Sequence, residues 1–188
     1  MSPTHTSLPK SVDIVIIGGG IAGLAAATEL AARKPGRILL IEQERAPGLH
    51  STARNASLLL SDTEDPVAAR VAMASRPFYA DTAEDEPPRF RPAGSLLLFS
   101  GPEAETRARA RIDGVAPLGL AASYLTPDDI RSRVPLLRTG HLGAGVFAAA
   151  DGVIEIGPTV EALTDRAVRG GVLLMCGVRA IKLVTDEG

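Results

Sequence analysis

The 188-residue sequence has no tryptophan, two tyrosines and four phenylalanines. Single-strand nucleic-acid binders stack bases on aromatic platforms, and this chain lacks the residues to build one. It also lacks a surplus of positive charge. Its 20 Lys and Arg stand against 22 Asp and Glu, for a net charge of −2. The basic residues are scattered, so nucleic acid is not an expected partner. A single cysteine, Cys176, permits no intrachain disulfide and suits a reducing cytoplasm, where the protein is expected. The three histidines, His5, His50 and His141, show no metal-ligand spacing with each other or with Cys176, and no metal is expected. No apolar run approaches the roughly 20 residues of a membrane span. Residues 1–10 carry Pro3 and Pro9 and no apolar signal core, which reads as a frayed, disordered leader. Internal repeats and nucleophile elbows are absent as well.

What remains is a globular composition, 45% apolar and 22% charged, long enough for one domain or one and a half. Its organising stretch begins at Val12. The run Val12-Asp13-Ile14-Val15-Ile16-Ile17 is short, β-branched and nearly all apolar, as in a strand buried on both faces of a parallel sheet. It enters Gly18-Gly19-Gly20-Ile21-Ala22-Gly23 and then an Ala- and Leu-rich helical segment to Ala32. In such a strand–turn–helix, Gly18 allows the sharp turn, Gly20 allows a pyrophosphate to approach the backbone, and Gly23 lets the helix lie close to the strand. The first N–H groups of the helix then face the phosphates.

A second apolar strand, Ile38-Leu39-Leu40-Ile41, ends in Glu42, 19 residues beyond Gly23. A carboxylate there accepts hydrogen bonds from an adenosine ribose and disfavours a 2′-phosphate, so FAD or NAD fits better than NADP. A Gly-rich turn in some other α/β protein, with an exposed Glu, is the plain alternative.

The next residues, Gln43-Glu44-Arg45-Ala46-Pro47-Gly48-Leu49-His50-Ser51-Thr52-Ala53-Arg54-Asn55-Ala56-Ser57, resemble the flavin-contacting stretch of the D-amino acid oxidase superfamily. That superfamily includes glycine oxidase, sarcosine oxidase and D-amino acid dehydrogenases. D-arginine dehydrogenase-type enzymes carry His-Ser-Thr-Gly-Arg-Ser-Ala here, and this chain has His50-Ser51-Thr52-Ala53-Arg54-Asn55-Ala56. The resemblance implies FAD as cofactor. It implies contacts from Ala22, Glu42, Gln43, His50, Ser51, Thr52, Ala53, Arg54, Asn55, Ala56, Ser57 and Leu58. It also places Val178 near the adenine, with core packing an equal account of that valine. Ser51 and Thr52 are suited to donate to phosphate oxygens, and Arg54 to add a charge-assisted bond. Taken alone, the segment is an ordinary polar loop.

Two departures bear on substrate. Leu58 and Ser61-Asp62-Thr63-Glu64-Asp65 stand where D-arginine-type enzymes carry a His and a lid Tyr. Gly94 stands near where they place a carboxylate against a basic side chain. An arginine substrate is therefore not expected. Leu58-Leu59-Leu60 reads first as core, and second as a lining above the flavin.

Further on, Asp65-Pro66 opens a helix with Val67, Arg70, Val71, Ala74 and Phe78 at helical spacing. The acidic 81–88 segment is a loop. A turn into a strand is expected over 90–99, and strands over 118–125 and 142–150. Helices are expected over 102–112, from Thr126 as cap to Pro135, and over 158–169 with Val160, Leu163 and Ala167 on one face. Residues 150–156 resemble the superfamily's return turn. Val172 to Val178 is a buried strand in which Cys176 acts as a small hydrophobe. Residues 182–188 look like a short strand and a hairpin turn.

The expected architecture is α/β. A Rossmann-like FAD-binding domain over 11–60 and 151–188 carries an inserted mixed α+β substrate-side segment, 61–150. Superfamily members are about twice this long, so the resemblance implies an N-terminal half that needs a C-terminal half or partner subunit. The implied activity is oxidation of a small amine or amino acid to an imine and 2-oxo acid by hydride transfer to flavin. A non-catalytic FAD-binding subunit and an NAD-dependent dehydrogenase are the alternatives. No residue is singled out as catalytic.

Overall fold

The computed structural model describes residues 8–34, 36–61, 63, 65–81, 87, 89–138 and 140–185. The start of the expected leader, most of the expected acidic loop over 81–88 and the turn expected at 186–188 lie outside the described residues. In chain order the elements are β1 (Ile14–Ile17), α1 (Ile21–Arg33), β2 (Ile38–Glu42), β3 (Leu58–Leu59), α2 (Pro66–Ala80), β4 (Phe90–Arg91), β5 (Ser95–Ser100) and α3 (Ala104–Val115). Then follow β6 (Ala122–Leu125), α4 (Pro127–Arg133), β7 (Leu142–Ala148), β8 (Gly152–Ile154), α5 (Ile156–Arg169) and β9 (Leu173–Cys176). Among the described residues no helix is long and apolar enough to cross a membrane.

The chain divides into two compact units, 1–56 with 156–188, and 57–155. The exchange points differ by four or five residues from the 60/61 and 150/151 boundaries read from the sequence. The reason is that β3 and β8 pair with each other inside the second unit.

The first unit is a parallel sheet in the order β1-β2-β9, with Ile14 opposite Ile38 and Leu39 opposite Leu173. All five residues of the central β2 are buried, which is why its sequence is apolar without alternation. The helix α1 covers the face of Ile16 and buries Leu24, Ala27 and Ala31. Beside it lies α5, joined by the Thr28 hydroxyl, which donates to Leu163 O at 3.2 Å. This helix starts two residues before Pro158. Proline is tolerated there because a first-turn N–H has no intrahelical acceptor. Its buried stripe is Thr159, Leu163 and Ala167, so Thr159 takes the place expected of Val160.

On the opposite face, Leu39, Ile41 and Met175 cluster with Val12, Leu173 and Val178. Val15 and Ile17, in register with Leu39 and Ile41, share that face, yet at the sheet edge they are 50% and 54% exposed. Residues 182–185 form no strand. A strand exists only with a partner, and none stands beside them among the described residues.

The second unit holds two antiparallel sheets, β3-β8-β4 and β5-β7-β6. Helix α3 packs on the latter through Phe99, Ala104, Ala108, Ala144 and Val146. Asp151 is buried and ties the two sheets together. It accepts from Ser61 N at 2.8 Å, from the Ser61 hydroxyl, and from the Ser95 hydroxyl at 2.6 Å. Two sequence expectations are corrected here. Of the leucine triplet only Leu59 is core, because a two-residue strand alternates faces and leaves Leu58 51% exposed. In α2 the stripe of Val67 and Val71 faces outward, and Ala69 is the buried residue.

Helix α4 opens with the capping box that Thr126 announces. Asp129 N donates to Thr126 Oγ1, and the Asp129 carboxylate accepts from the Thr126 hydroxyl at 2.6 Å and from Thr126 N at 2.9 Å. The bonds from Thr126 hold the Asp129 carboxyl below its usual value. A depressed folded-state pKa contributes stability above the unfolded-state value and loses it as pH falls through the folded one. Urea unfolding of the wild type against Asp129→Asn should therefore show a gap that is constant at neutral pH and closes in acid below the ordinary aspartate range. A gap that persists there would remove the carboxylate as its source.

Candidate functional site

The site is built where β1 and β2 end. Gly18 takes φ +103°, a left-handed conformation that a side chain resists, and its N–H donates to Ile41 O at 2.8 Å. The chain then reverses into α1, capped by the extended Gly20 without a side-chain bond of its own. Thr52, far along the chain, supplies the cap: Ile21 N donates to Thr52 Oγ1 at 3.1 Å. The hydroxyl thereby accepts one bond and keeps its own proton to donate. Gly23 lies beneath the turn. A Cβ there would stand 2.0 Å from Gly18 O.

Glu42 closes the turn from the other side. Its Oε2 accepts from Gly19 N at 2.6 Å and its Oε1 from Glu44 N at 2.9 Å, with the residue 8% exposed. Each carboxylate oxygen has a further lone pair to offer. The loop beyond is pinned by Gly48 N donating to Gly19 O at 3.0 Å. A 3₁₀ turn over Ser51–Ala53 follows, and the Asn55 amide braces it by donating to Thr52 O at 2.7 Å and Ser51 O at 3.1 Å. From β9, Gly177 N and Val178 N donate to Glu44 O and Glu42 O, both at 2.9 Å.

Together these segments line a cavity of about 290 Å³. Of the residues expected from the sequence, Gly18, Gly20, Glu42, Gln43, His50, Ser51, Thr52 and Val178 reach it. Ala22, Gly23, Ala53, Arg54, Asn55 and Ala56 are not among its lining residues. Gly23 is spent on helix packing and Asn55 on the loop's own carbonyls, while Ala22, Ala53, Arg54 and Ala56 point to solvent. Ser57 and Leu58 belong to the second unit.

Ile17, Ile41, Gly48, Arg179 and Ala180 also line the cavity and were not singled out. The two isoleucines could have been, since ligands of open α/β sheets sit at the carboxyl ends of strands. Pro47-Gly48 is a turn signal, whereas nothing local marks Arg179.

Cys176 pairs in register with Glu42 and is partly buried. Burial and the Glu42 carboxylate push its thiol up. It stays protonated at neutral pH and is a poor nucleophile. Chemically the site offers N–H and O–H donors at the start of α1 and an anchored carboxylate acceptor beside them.

A family model described as FAD dependent oxidoreductase matches residues 13–188. The L-2-hydroxyglutarate dehydrogenase of Escherichia coli (strain K12) is 30% identical over 167 residues, covering 86% of this chain and 39% of that protein. The mitochondrial sarcosine dehydrogenase of Mus musculus is 25% identical over 185 residues, covering 96% of this chain and 20% of that protein. Among solved structures, the L-proline dehydrogenase from P. horikoshii superposes with a TM-score of 0.85 at 25% identity, over 96% of this chain and 48% of that one. The chain thus spans less than half the length of each. With that family's model running through the glycine turn, Glu42 and all that follows, the chain belongs to the DAO family of FAD dependent oxidoreductases.

Proposed function

We propose that the first unit holds FAD across the carboxyl ends of β1, β2 and β9. The complete enzyme would oxidise a small acid at a carbon bearing an amine or a hydroxyl. The observation that carries this reading is Glu42, a buried carboxylate fixed by two backbone N–H groups directly against the glycine turn. The residues present fit the nucleotide end of the cofactor. The start of α1, with the Thr52 and Ser51 hydroxyls, would hold the diphosphate. Glu42, with Gln43, would accept from the ribose and repel a 2′-phosphate. Ligand clefts run from about 300 to 1,000 Å³, and a cavity of about 290 Å³ suits the adenosine diphosphate portion rather than the whole dinucleotide.

When bound, FAD would supply the hydride-accepting chemistry, and the protein's share would be orientation and electrostatics. The names of the relatives support the substrate class: a 2-hydroxy acid in one, and the amino acids sarcosine and proline in the others. No residue of this chain is assigned an acid or base role. The substrate pocket would be completed by a further polypeptide segment, the C-terminal half of the fold or a partner subunit. The open edge of β1, with Val15 and Ile17 exposed, supports this. The lone cysteine supports a cytoplasmic setting.

The test is a visible absorption spectrum of the purified chain, alone and after mixing with a candidate C-terminal half. Bands near 370 and 450 nm mark oxidised flavin. Bands in the lone chain would show that these contacts suffice, and bands only after mixing would show completion in trans. A colourless protein in both cases that binds NAD would replace this reading with the nicotinamide one. The exposed β1 edge also favours a second reading, a non-catalytic FAD-holding subunit. A monomer active by itself would exclude it.

A further inference from the structure

Across the open ends of the parallel sheet, the strand order β1-β2-β9 sets an order of chemistry. At β1 stand the glycine turn and the start of α1, which favour an anion. At β2 stands Glu42, which accepts from hydroxyl groups. At β9 the chain leaves Cys176, and the N–H groups of Gly177 and Val178 are bonded to the carbonyls of Glu44 and Glu42. That anchoring fixes the course of the next two residues, Arg179 and Ala180, both of which line the cavity. Neighbouring strands lie about 4.8 Å apart, so the β1 and β9 ends are separated by about 10 Å. This is the reach of a nucleotide from its diphosphate, through its ribose, to its base.

Arg179 is the one Lys or Arg among the lining residues. Among the described residues it takes part in no salt bridge, and it is exposed. It lies two strands away from the phosphate end, between the apolar Val178 and Ala180. A guanidinium is planar, delocalised and weakly hydrated, and it stacks on π faces.

We infer that Arg179 is a specificity residue for the cofactor, its guanidinium lying on the face of the adenine. The inference rests on the dinucleotide site proposed above and adds to it the group that recognises the base.

The test uses the chain itself with two probes, ADP and inorganic pyrophosphate, titrated calorimetrically into the wild type, Arg179→Ala and Arg179→Lys. Because Arg179 is exposed, neither variant threatens the fold. Arg179→Ala should bind ADP about fivefold more weakly and pyrophosphate unchanged. Arg179→Lys should recover only part of the loss, since it restores the charge but not the plane. Unchanged ADP affinity in Arg179→Ala overturns the inference and leaves the proposed site standing. Equal weakening of both probes overturns it in favour of a phosphate contact. A wild-type chain that binds neither probe overturns the dinucleotide site, and the inference with it.

Discussion

Gly23→Ala should remove a large share of the stability of the first unit. The added Cβ would stand 2.0 Å from Gly18 O and 3.4 Å from Ile16 Cγ2. The nearer atom is backbone, so no rotamer change relieves the clash. Either the Gly18–Gly19 peptide turns, which breaks the bond from Gly19 N to Glu42 Oε2, or α1 lifts from the sheet and uncovers Leu24, Ala27 and Ala31. Overpacking costs typically about 1–3 kcal/mol where side chains can adjust. A rigid backbone contact puts this substitution at about 3 kcal/mol or beyond, against a total of about 5–15 kcal/mol for an ordinary domain.

Gly114→Ala is the matched control. It lies exposed in α3, and a Cβ there meets nothing within 4 Å. Removing a helical glycine should raise stability by about 0.5–1 kcal/mol. Urea denaturation followed by circular dichroism reads both. The wild type should unfold cooperatively, Gly114→Ala at higher urea, and Gly23→Ala at much lower urea or without a transition. A Gly23→Ala midpoint close to the wild type would show that α1 does not need this close approach.

That contrast also marks what the sequence reveals. The run at Val12, the glycine turn and the leucine- and isoleucine-rich β2 are local patterns whose physics is short-range. Backbone reversal and, in β2, burial on both faces each leave a mark within a few residues. The same holds for Thr126 and Asp129, a cap written in four consecutive positions. The α/β class and the FAD dependent oxidoreductase family were therefore legible.

Long-range choices were not. Val67 and Val71 have helical spacing, but which side of α2 meets the sheet depends on residues far away, and Ala69 turned inward instead. Leu58 and Leu60 lost to a strand too short to bury both faces. The hydroxyl of Thr52 caps α1 from 31 residues downstream. Asp151 draws its bonds from Ser61 and Ser95, on either side of α2 in sequence. None of these partners is marked by spacing. At the site, composition could suggest that Ser51, Thr52, Arg54 and Asn55 are polar and available. It could not say that Asn55 is spent on its own loop while Thr52 faces the cavity.

Glu42→Ala is expected to show two losses at once, because its carboxylate both builds the site and faces the cavity. As a scaffold it accepts from Gly19 N and Glu44 N while 8% exposed. Removing it leaves both donors in a largely buried place. An unmet buried donor costs about 1–3 kcal/mol, and water entering the adjacent cavity recovers part, so a net loss of about 2–4 kcal/mol is expected. As a ligand group, it should hold ADP through the ribose and reject ADP bearing a 2′-phosphate. The variant should therefore bind ADP at least tenfold more weakly, about 1.4 kcal/mol, and should narrow the preference for ADP over its 2′-phosphorylated form. Glu42→Gln separates the two roles. Its amide oxygen can accept from one N–H, but its NH₂ confronts the other, so its stability should fall between wild type and alanine. Its neutral side chain should relax the discrimination against 2′-phosphate as far as alanine does, because that discrimination comes from charge alone. Thermal melts with and without each nucleotide read both quantities, since a ligand raises stability as the logarithm of one plus its concentration divided by its Kd. If Glu42→Ala lost ADP binding at unchanged stability, the two backbone bonds would carry no weight. If it lost stability while keeping its nucleotide preference, Glu42 would be a strut of the glycine turn and the ribose would be held elsewhere.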